Sequence, residues 1–281
     1  MSARIADLLN RSNLPRLEMR ILLGHVLDKD AAWLLTHDHE ILTPAQQQTY
    51  QNLVQRRVNG EPIAYLVGHK EFWGMQIAVS SAVLIPRPET ETLVEAALTY
   101  LSAAKKQHVL DLGTGSGAIA LALAMERKNI DVDAVDASLD ALAIAQKNMD
   151  AILGDDQRRV TLIHSHWFKQ LPREKKYDLI VSNPPYVADN DVHLSEGDVR
   201  FEPITALRSG ADGLDDIRVI VRIAPLHLSL GGALFLEHGY DQAHAVAALL
   251  KTYGFRDIKT TCDLAGIERV TGGVYSDVRK D

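Results

Sequence analysis

From Gln107 onward, short apolar runs alternate with longer stretches of helical period. Runs at 108–112, 131–135, 160–164, 177–182, 233–237, 255–259 and 268–275 predict strands. Helical spacing fills the gaps at about 117–127, 138–152, 215–229 and 241–252. Gly231-Gly232 and Gly254 stop two of these helices cleanly. This alternation predicts an α/β fold, a seven-stranded, mostly parallel, doubly wound sheet covered on both faces by helices.

The first part of the chain has no strand pattern. Ile5, Leu8 and Leu9 recur at helical spacing, as do Leu17, Ile21, Leu22 and Val26. Thr43 before Pro44 marks an N-cap with proline in the first turn, and the helix it opens runs to about Asn59, where Gly60 ends it. Gly60-Glu61-Pro62 makes a turn, with a short helical piece after it. Between the two regions, Met75-Gln76-Ile77-Ala78-Val79 alternates, Ser80-Ser81 reads as a turn and Val83-Leu84-Ile85 is β-prone. A hairpin connector is expected there. Pro88, with Glu89 and Glu91 close behind, opens a helix carrying Leu93, Val94, Ala97 and Leu98 inward. The expected domains are a helical bundle over 1–70, which holds a macromolecular substrate or packs on the second domain, a hairpin linker over 71–87 and a strand–helix domain over 88–281.

Composition narrows the function classes only a little. A net charge of −7 gives no bulk basic field for nucleic acid. The single cysteine, Cys262, rules out an intramolecular disulfide framework and fits a reducing compartment. The opening stretch Met1 to Asp7 lacks the apolar core of a signal peptide, and no run approaches membrane-spanning length. A cytoplasmic protein without membrane association is expected. His25, His37 and His39 make no metal signature, and no metal site is expected.

The candidate chemistry lies where strands end. Asn183-Pro184-Pro185-Tyr186 follows the apolar run Tyr177 to Ser182. The two prolines stop the strand and remove donors, which leaves carbonyls and one side-chain amide beside an aromatic ring. Such an edge suits a planar NH₂ group. Asp111-Leu112-Gly113-Thr114-Gly115-Ser116-Gly117 is a strand entering a glycine-rich turn at a helix N-terminus, where backbone can approach a ligand closely. The dinucleotide fingerprint wants its third glycine where this chain has Ala118, which demotes a nicotinamide cofactor. Asp136, ending the next strand, stands at the offset of a ribose-binding acid; a helix N-cap is its structural alternative. Asp111 faces a cationic ligand or braces the loop. Glycines, Asp136 and Asn183 meet if the sheet reverses order between its first and fourth strands.

With Ile85-Pro86-Arg87-Pro88-Glu89-Thr90-Glu91, Gly197 to Pro203 and Leu236-Glu237-His238-Gly239, these motifs resemble the HemK/PrmC family of class I methyltransferases. The resemblance spans nearly the whole chain. It implies a helical N-terminal domain, a hairpin linker and a Rossmann-like catalytic domain. It also implies S-adenosyl-L-methionine as cofactor, S-adenosyl-L-homocysteine as product, and class 1 peptide chain release factors as protein substrate. The activity implied is methylation of the glutamine of their Gly-Gly-Gln motif at N5. Gly113, Thr114, Gly115, Ser116, Gly117, Asp136 and Trp167 would then hold the cofactor, and Asn183 would bridge cofactor and substrate. Pro184, Pro185 and Tyr186 would complete the substrate site. Catalysis would rest on Asn183, Pro184 and Tyr186. His166 departs from the pattern, for the family commonly has an acid there. Arg200, Glu202, Asp212, Glu237 and His238 are left without a role. A nucleic-acid N-methyltransferase (DNA adenine or RNA guanine) sharing the Asn-Pro-Pro-Tyr motif is the alternative, followed by a non-catalytic cofactor-binding scaffold.

Overall fold

The computed structural model describes residues 4–9 and 14–276; Met1 to Ala3, the first residues of the opening stretch read above, lie outside them. The chain divides into two compact units, one of residues 1–69 with 195–201, the other of 70–194 with 202–281.

The helical unit holds α1 (Ile5–Leu9), α2 (Arg16–Leu27), α3 (Ala31–Thr36), α4 (Pro44–Val58) and α5 (Ile63–Val67). Its core is built from Ile5, Met19, Leu22, Leu23, Leu34, Tyr50 and Leu53. The inward face of α2 is therefore Met19, Leu22 and Leu23, while Leu17 is 68% exposed and Ile21 39%. Both apolar stripes have helical spacing, and packing against α4 and α5 selects one of them. Helix α4 begins as expected. Thr43 Oγ1 accepts from Gln46 N at 3.3 Å, and Gln46 Oε1 accepts from Thr43 N at 3.0 Å, which closes a capping box.

In the segment 195–201 of this unit, Asp198 Oδ1 accepts from Arg57 Nη1 at 2.7 Å, and Arg57 also donates to both oxygens of Glu18 at 2.8 and 2.9 Å. The two carboxylates raise the Arg57 pKa still further. Arg200, left without a role by the sequence, donates to Asn59 O at 2.8 Å.

The second unit opens within β1 (His69–Phe72), which pairs with β2 (Met75–Ala78) in a hairpin. The connector is thus present, shifted from the expected pairing of 75–79 with 83–85. Trp73 at φ 52° and Gly74 at φ 69° form its turn, as a two-residue hairpin needs. Trp73 is not a residue that sequence marks for that geometry. Residues 83–85 pair with no strand; Ile85 N donates instead to Glu202 Oε2 at 3.0 Å. A short 3₁₀ turn, Pro88–Thr90, leads into α6 (Glu91–Tyr100), whose Leu93, Val94 and Ala97 are buried.

The remaining elements alternate in the expected order: β3 (Gln107–Leu112), α7 (Ala118–Glu126), β4 (Ile130–Asp136), α8 (Leu139–Leu153), β5 (Val160–His164), β6 (Tyr177–Ser182), α9 (Asp215–Ile223), β7 (Leu228–Glu237), α10 (Ala243–Thr252), β8 (Phe255–Cys262) and β9 (Glu268–Tyr275). The helix expected to run to 229 ends at Ile223, and Gly231-Gly232, read as its stop, lie inside β7 where the register with β6 shifts. Among the described residues they form a seven-stranded sheet of order β5-β4-β3-β6-β7-β9-β8. Strands β5 to β7 are parallel, and β9 runs antiparallel to both β7 and β8. Leu110, Ile180 and Leu234, on the three central strands, are fully buried, each stabilising by about 2–3 kcal/mol. The order reverses between β3 and β6, so the carboxyl ends of those strands frame the crevice where such sheets bind ligands.

Candidate active site

A cavity of about 550 Å³ opens at that crevice. It brings together Thr90, the turn Gly113–Ser116, Asp136, Trp167, Asn183 and Pro185, with Asp216 from α9.

The glycine turn is stitched to β4, since Gly113 N and Thr114 N both donate to Val135 O at 2.9 Å. Gly113, Gly115 and Gly117 have φ of 73°, 56° and 83°, a region that disfavours side chains. They serve differently. Around Gly115 a Cβ would meet nothing within 4 Å, so its backbone is open to a ligand. Gly117 does not line the cavity, contrary to expectation. A Cβ there would stand 3.3 Å from Ala145 Cβ and 3.4 Å from Leu121 Cδ1, so this glycine lets α7 pack against α8.

Asp136 Oδ2 accepts from Gly115 N and Oδ1 from Ser138 N, both at 2.8 Å. It is not the cap of α8. Ser138 fills that position, with Oγ accepting from Ala141 N at 3.1 Å. A carboxylate offers about four lone-pair sites. Asp136 therefore braces the turn and keeps acceptors for a hydroxyl-rich ligand.

Asp111 turns out to be the loop brace. It is fully buried, lies off the cavity and accepts from Thr114 Oγ1 at 2.6 Å through Oδ2, while Oδ1 has no partner. Burial pushes its pKa up to about 7, against the pull of the Thr114 hydroxyl.

Trp167, at φ 51°, presents its ring to the cavity beside Gly113, and its Nε1 donates to Asp216 Oδ1 at 3.1 Å. Asp216 also accepts from Ser209 Oγ at 2.8 Å. Sequence reasoning missed Asp216, whose only signal is its place in the acidic first turn of α9. His166 lines the cavity next to Trp167 with its ring exposed.

Asn183 and Pro185 line the cavity, whereas Pro184 and Tyr186 do not. Asn183 Nδ2 donates to Thr90 Oγ1 at 3.1 Å, which leaves Oδ1 as the atom free to accept from a ligand. Tyr186 directs its hydroxyl away, to Glu237 Oε1 at 3.4 Å. Thr90 and Glu237 were missed as site residues, although both lie in quoted motifs. Glu202 pairs with Arg87 and Asp212 with Arg218, while His238 Nε2 meets Thr271 Oγ1 at 2.8 Å in full burial. Among the described residues no group of three or more His, Cys, Asp and Glu could hold a metal ion, and no helix is long and apolar enough to cross a membrane.

The reversed sheet order, a glycine turn braced by the acid of the next strand and an aromatic wall define a methyltransferase of the doubly wound α/β class. Residues 2–68 match the model of the PrmC N-terminal domain, and 90–199 match that of the methyltransferase small domain. A release factor glutamine methyltransferase of Bordetella pertussis is 48% identical over 96% of this chain and 98% of the relative. One from Pseudomonas aeruginosa is 47% identical over 97% and 99%. The chain belongs to the release factor glutamine methyltransferase family. In fold it is similar to the T. thermophilus 16S rRNA N2 G1207 methyltransferase solved with AdoMet and guanosine, at 24% identity, 74% of this chain, 49% of that chain and a TM-score of 0.52.

Proposed function

We propose that the chain methylates the side-chain amide nitrogen, N5, of the glutamine in the Gly-Gly-Gln motif of class 1 peptide chain release factors. S-adenosyl-L-methionine is the donor, S-adenosyl-L-homocysteine the product and the cytoplasm the compartment. The observation that carries the reading is the Asn183 carboxamide, whose Nδ2 is committed to Thr90 and whose Oδ1 is left to accept from an NH₂ group at the cavity. Relatives that match the chain end to end carry the corresponding activity in their names. The same coverage disfavours the nucleic-acid alternative.

The donor set fits the cofactor. Asp136 has acceptors to spare for a ribose diol, Trp167 offers a flat apolar face to a purine, and the open backbone at Gly115 admits the amino-acid end. When bound, S-adenosylmethionine supplies a methyl group on a positively charged sulfur. The chain's own task is to make an amide nitrogen attack, although its lone pair is delocalised into the carbonyl. Asn183 Oδ1 and the Pro184 carbonyl take the two N–H groups of the substrate amide. Fixing both hydrogens turns the lone pair toward the methyl and eases pyramidalisation as charge develops. Pro185 restricts the loop that carries these acceptors, and Tyr186 holds its far end against Glu237. The extra proton leaves after transfer, so no strong base has to act first.

The test is transfer of labelled methyl to a release factor and to a variant whose motif glutamine is alanine. Label is expected only on the former; equal labelling of both would overturn the reading. Asn183→Ala is expected to lose about 10²–10³ in rate.

A further inference from the structure

We propose that Thr90 and Glu237 set the orientation of the Asn183 carboxamide, Glu237 accepting a hydrogen bond from the Thr90 hydroxyl so that Thr90 accepts from Nδ2 and Oδ1 faces the substrate. The proposal deepens the function above and rests on its reading of Asn183.

Three elements converge on this spot. Strands β6 and β7 run parallel with Ser182 opposite Leu236, so Asn183 and Glu237 follow side by side at the carboxyl end of the sheet. Thr90 closes the 3₁₀ turn before α6 and is 5% exposed. Glu237 is 1% exposed, and its Oε2 has no hydrogen-bond partner, which is costly for a buried carboxylate. Its neighbours are the hydroxyls of Thr90 and Tyr186, with the charges of Arg269 and Glu89 farther out. Burial pushes the Glu237 carboxyl up to about 7, while the two hydroxyls and Arg269 pull it back, so it is ionised above neutral pH.

A threonine hydroxyl has one hydrogen and two lone pairs. With that hydrogen turned to Glu237, only lone pairs face Asn183, which must then offer its N–H. With the hydrogen turned to Asn183 instead, the amide would rotate to present Oδ1 to Thr90 and NH₂ to the cavity. The two rotamers fill the same space, so sterics cannot choose between them. Only the first gives an acceptor to a substrate NH₂; the second sets donor against donor. Glu237, an acceptor-only group when ionised, makes the choice three hydrogen bonds away from the substrate. Thr90 and Glu237 are therefore positioning residues, acting through Asn183.

The experiment is a double-mutant cycle on the full chain. Initial rates with saturating labelled S-adenosylmethionine and a release factor are measured for Thr90→Val, Thr90→Ser, Asn183→Ala and the Thr90→Val/Asn183→Ala pair. Cofactor affinity is measured separately by calorimetry. Thr90→Val keeps the side-chain shape and removes the hydroxyl; kcat should fall about 10–100-fold, a smaller loss than deleting the acceptor outright. KM and cofactor affinity should hold within about threefold, because the defect lies in orientation and not in uniform binding. Thr90→Ser should restore most of the rate. In the Asn183→Ala background, Thr90→Val should cost nothing more. Should Thr90→Val not fold, Glu237→Gln takes its place in the cycle, since a glutamine amide can donate to Thr90 and turn the chain of bonds round. Additive losses, or Thr90→Ser as poor as Thr90→Val, would overturn the relay while leaving Asn183 its role. Full turnover by Asn183→Ala would remove the reading of Asn183 and the relay with it.

Discussion

Replacing Asp111 with asparagine should make the protein more stable at neutral and alkaline pH, although it alters a fully buried residue beside the glycine turn. Burial raises this carboxyl from 3.8 to about 7. The folded state therefore holds its proton more tightly than the unfolded chain does. Ionised at pH 8, the folded protein carries the full penalty; as pH falls through 7 the penalty shrinks, and below 3.8 it is gone. At 1.36 kcal/mol per pH unit the penalty amounts to roughly 4 kcal/mol. Asparagine removes it and keeps an oxygen for the Thr114 hydroxyl, which now donates to Oδ2 at 2.6 Å. Against that stand Oδ1, which meets no well-formed hydrogen bond so that an amide there buries an unmet donor, and the pull of the Ala120 backbone N–H on the carboxylate, together about 1–3 kcal/mol. The net gain at pH 8 is roughly 1–3 kcal/mol, or several degrees in Tm for a domain of this size. Calorimetric melting of both proteins between pH 5 and 8 checks it. The advantage of Asp111→Asn should be largest at pH 8 and decline steadily below pH 7. A difference that does not change with pH would refute the assignment of the cost to a buried charge.

Two further outcomes follow from particular contacts. Glu202→Ala strips the Arg87 guanidinium and Ile85 N of their buried acceptor and should destabilise by about 3–5 kcal/mol, read by denaturant unfolding. Asp136→Asn loses the charge-assisted bond from Gly115 N and, on the proposed reading, one from a ribose, and cofactor affinity measured by calorimetry should weaken at least tenfold.

What sequence could reveal here depended on how local the cause was. The strand ending at Ser182 was legible because an unbroken apolar run meets two prolines. The N-cap at Thr43 was legible because its partner lies three residues further along the same segment, whereas the bond from Gly115 N to Asp136 was not, because it joins the ends of two different strands. The hairpin register was not, because it hangs on Trp73 adopting a left-handed backbone. Nor was the inner face of α2, since Leu17 and Met19 differ in burial only through what packs on the helix. Thr90, Glu237 and Asn183 are far apart in sequence and meet only through strand order, which no local pattern encodes. Gly117 shows the reverse limit: a motif glycine read toward the ligand lies off the cavity, in close contact with Ala145 and Leu121, which no local pattern reveals.

The helical unit is not one stretch of chain. Residues 195–201 belong to it although 194 and 202 do not, so the polypeptide passes between units three times. A fragment cut after residue 69 would carry Arg57 with one of its two carboxylate partners missing, and Asn59 O without its guanidinium. The matched N-terminal model, which ends at 68, stops short of that piece. Grafting experiments that exchange the helical unit between relatives must therefore move two segments together, and a chimera built at the obvious boundary would inherit a mismatched seam.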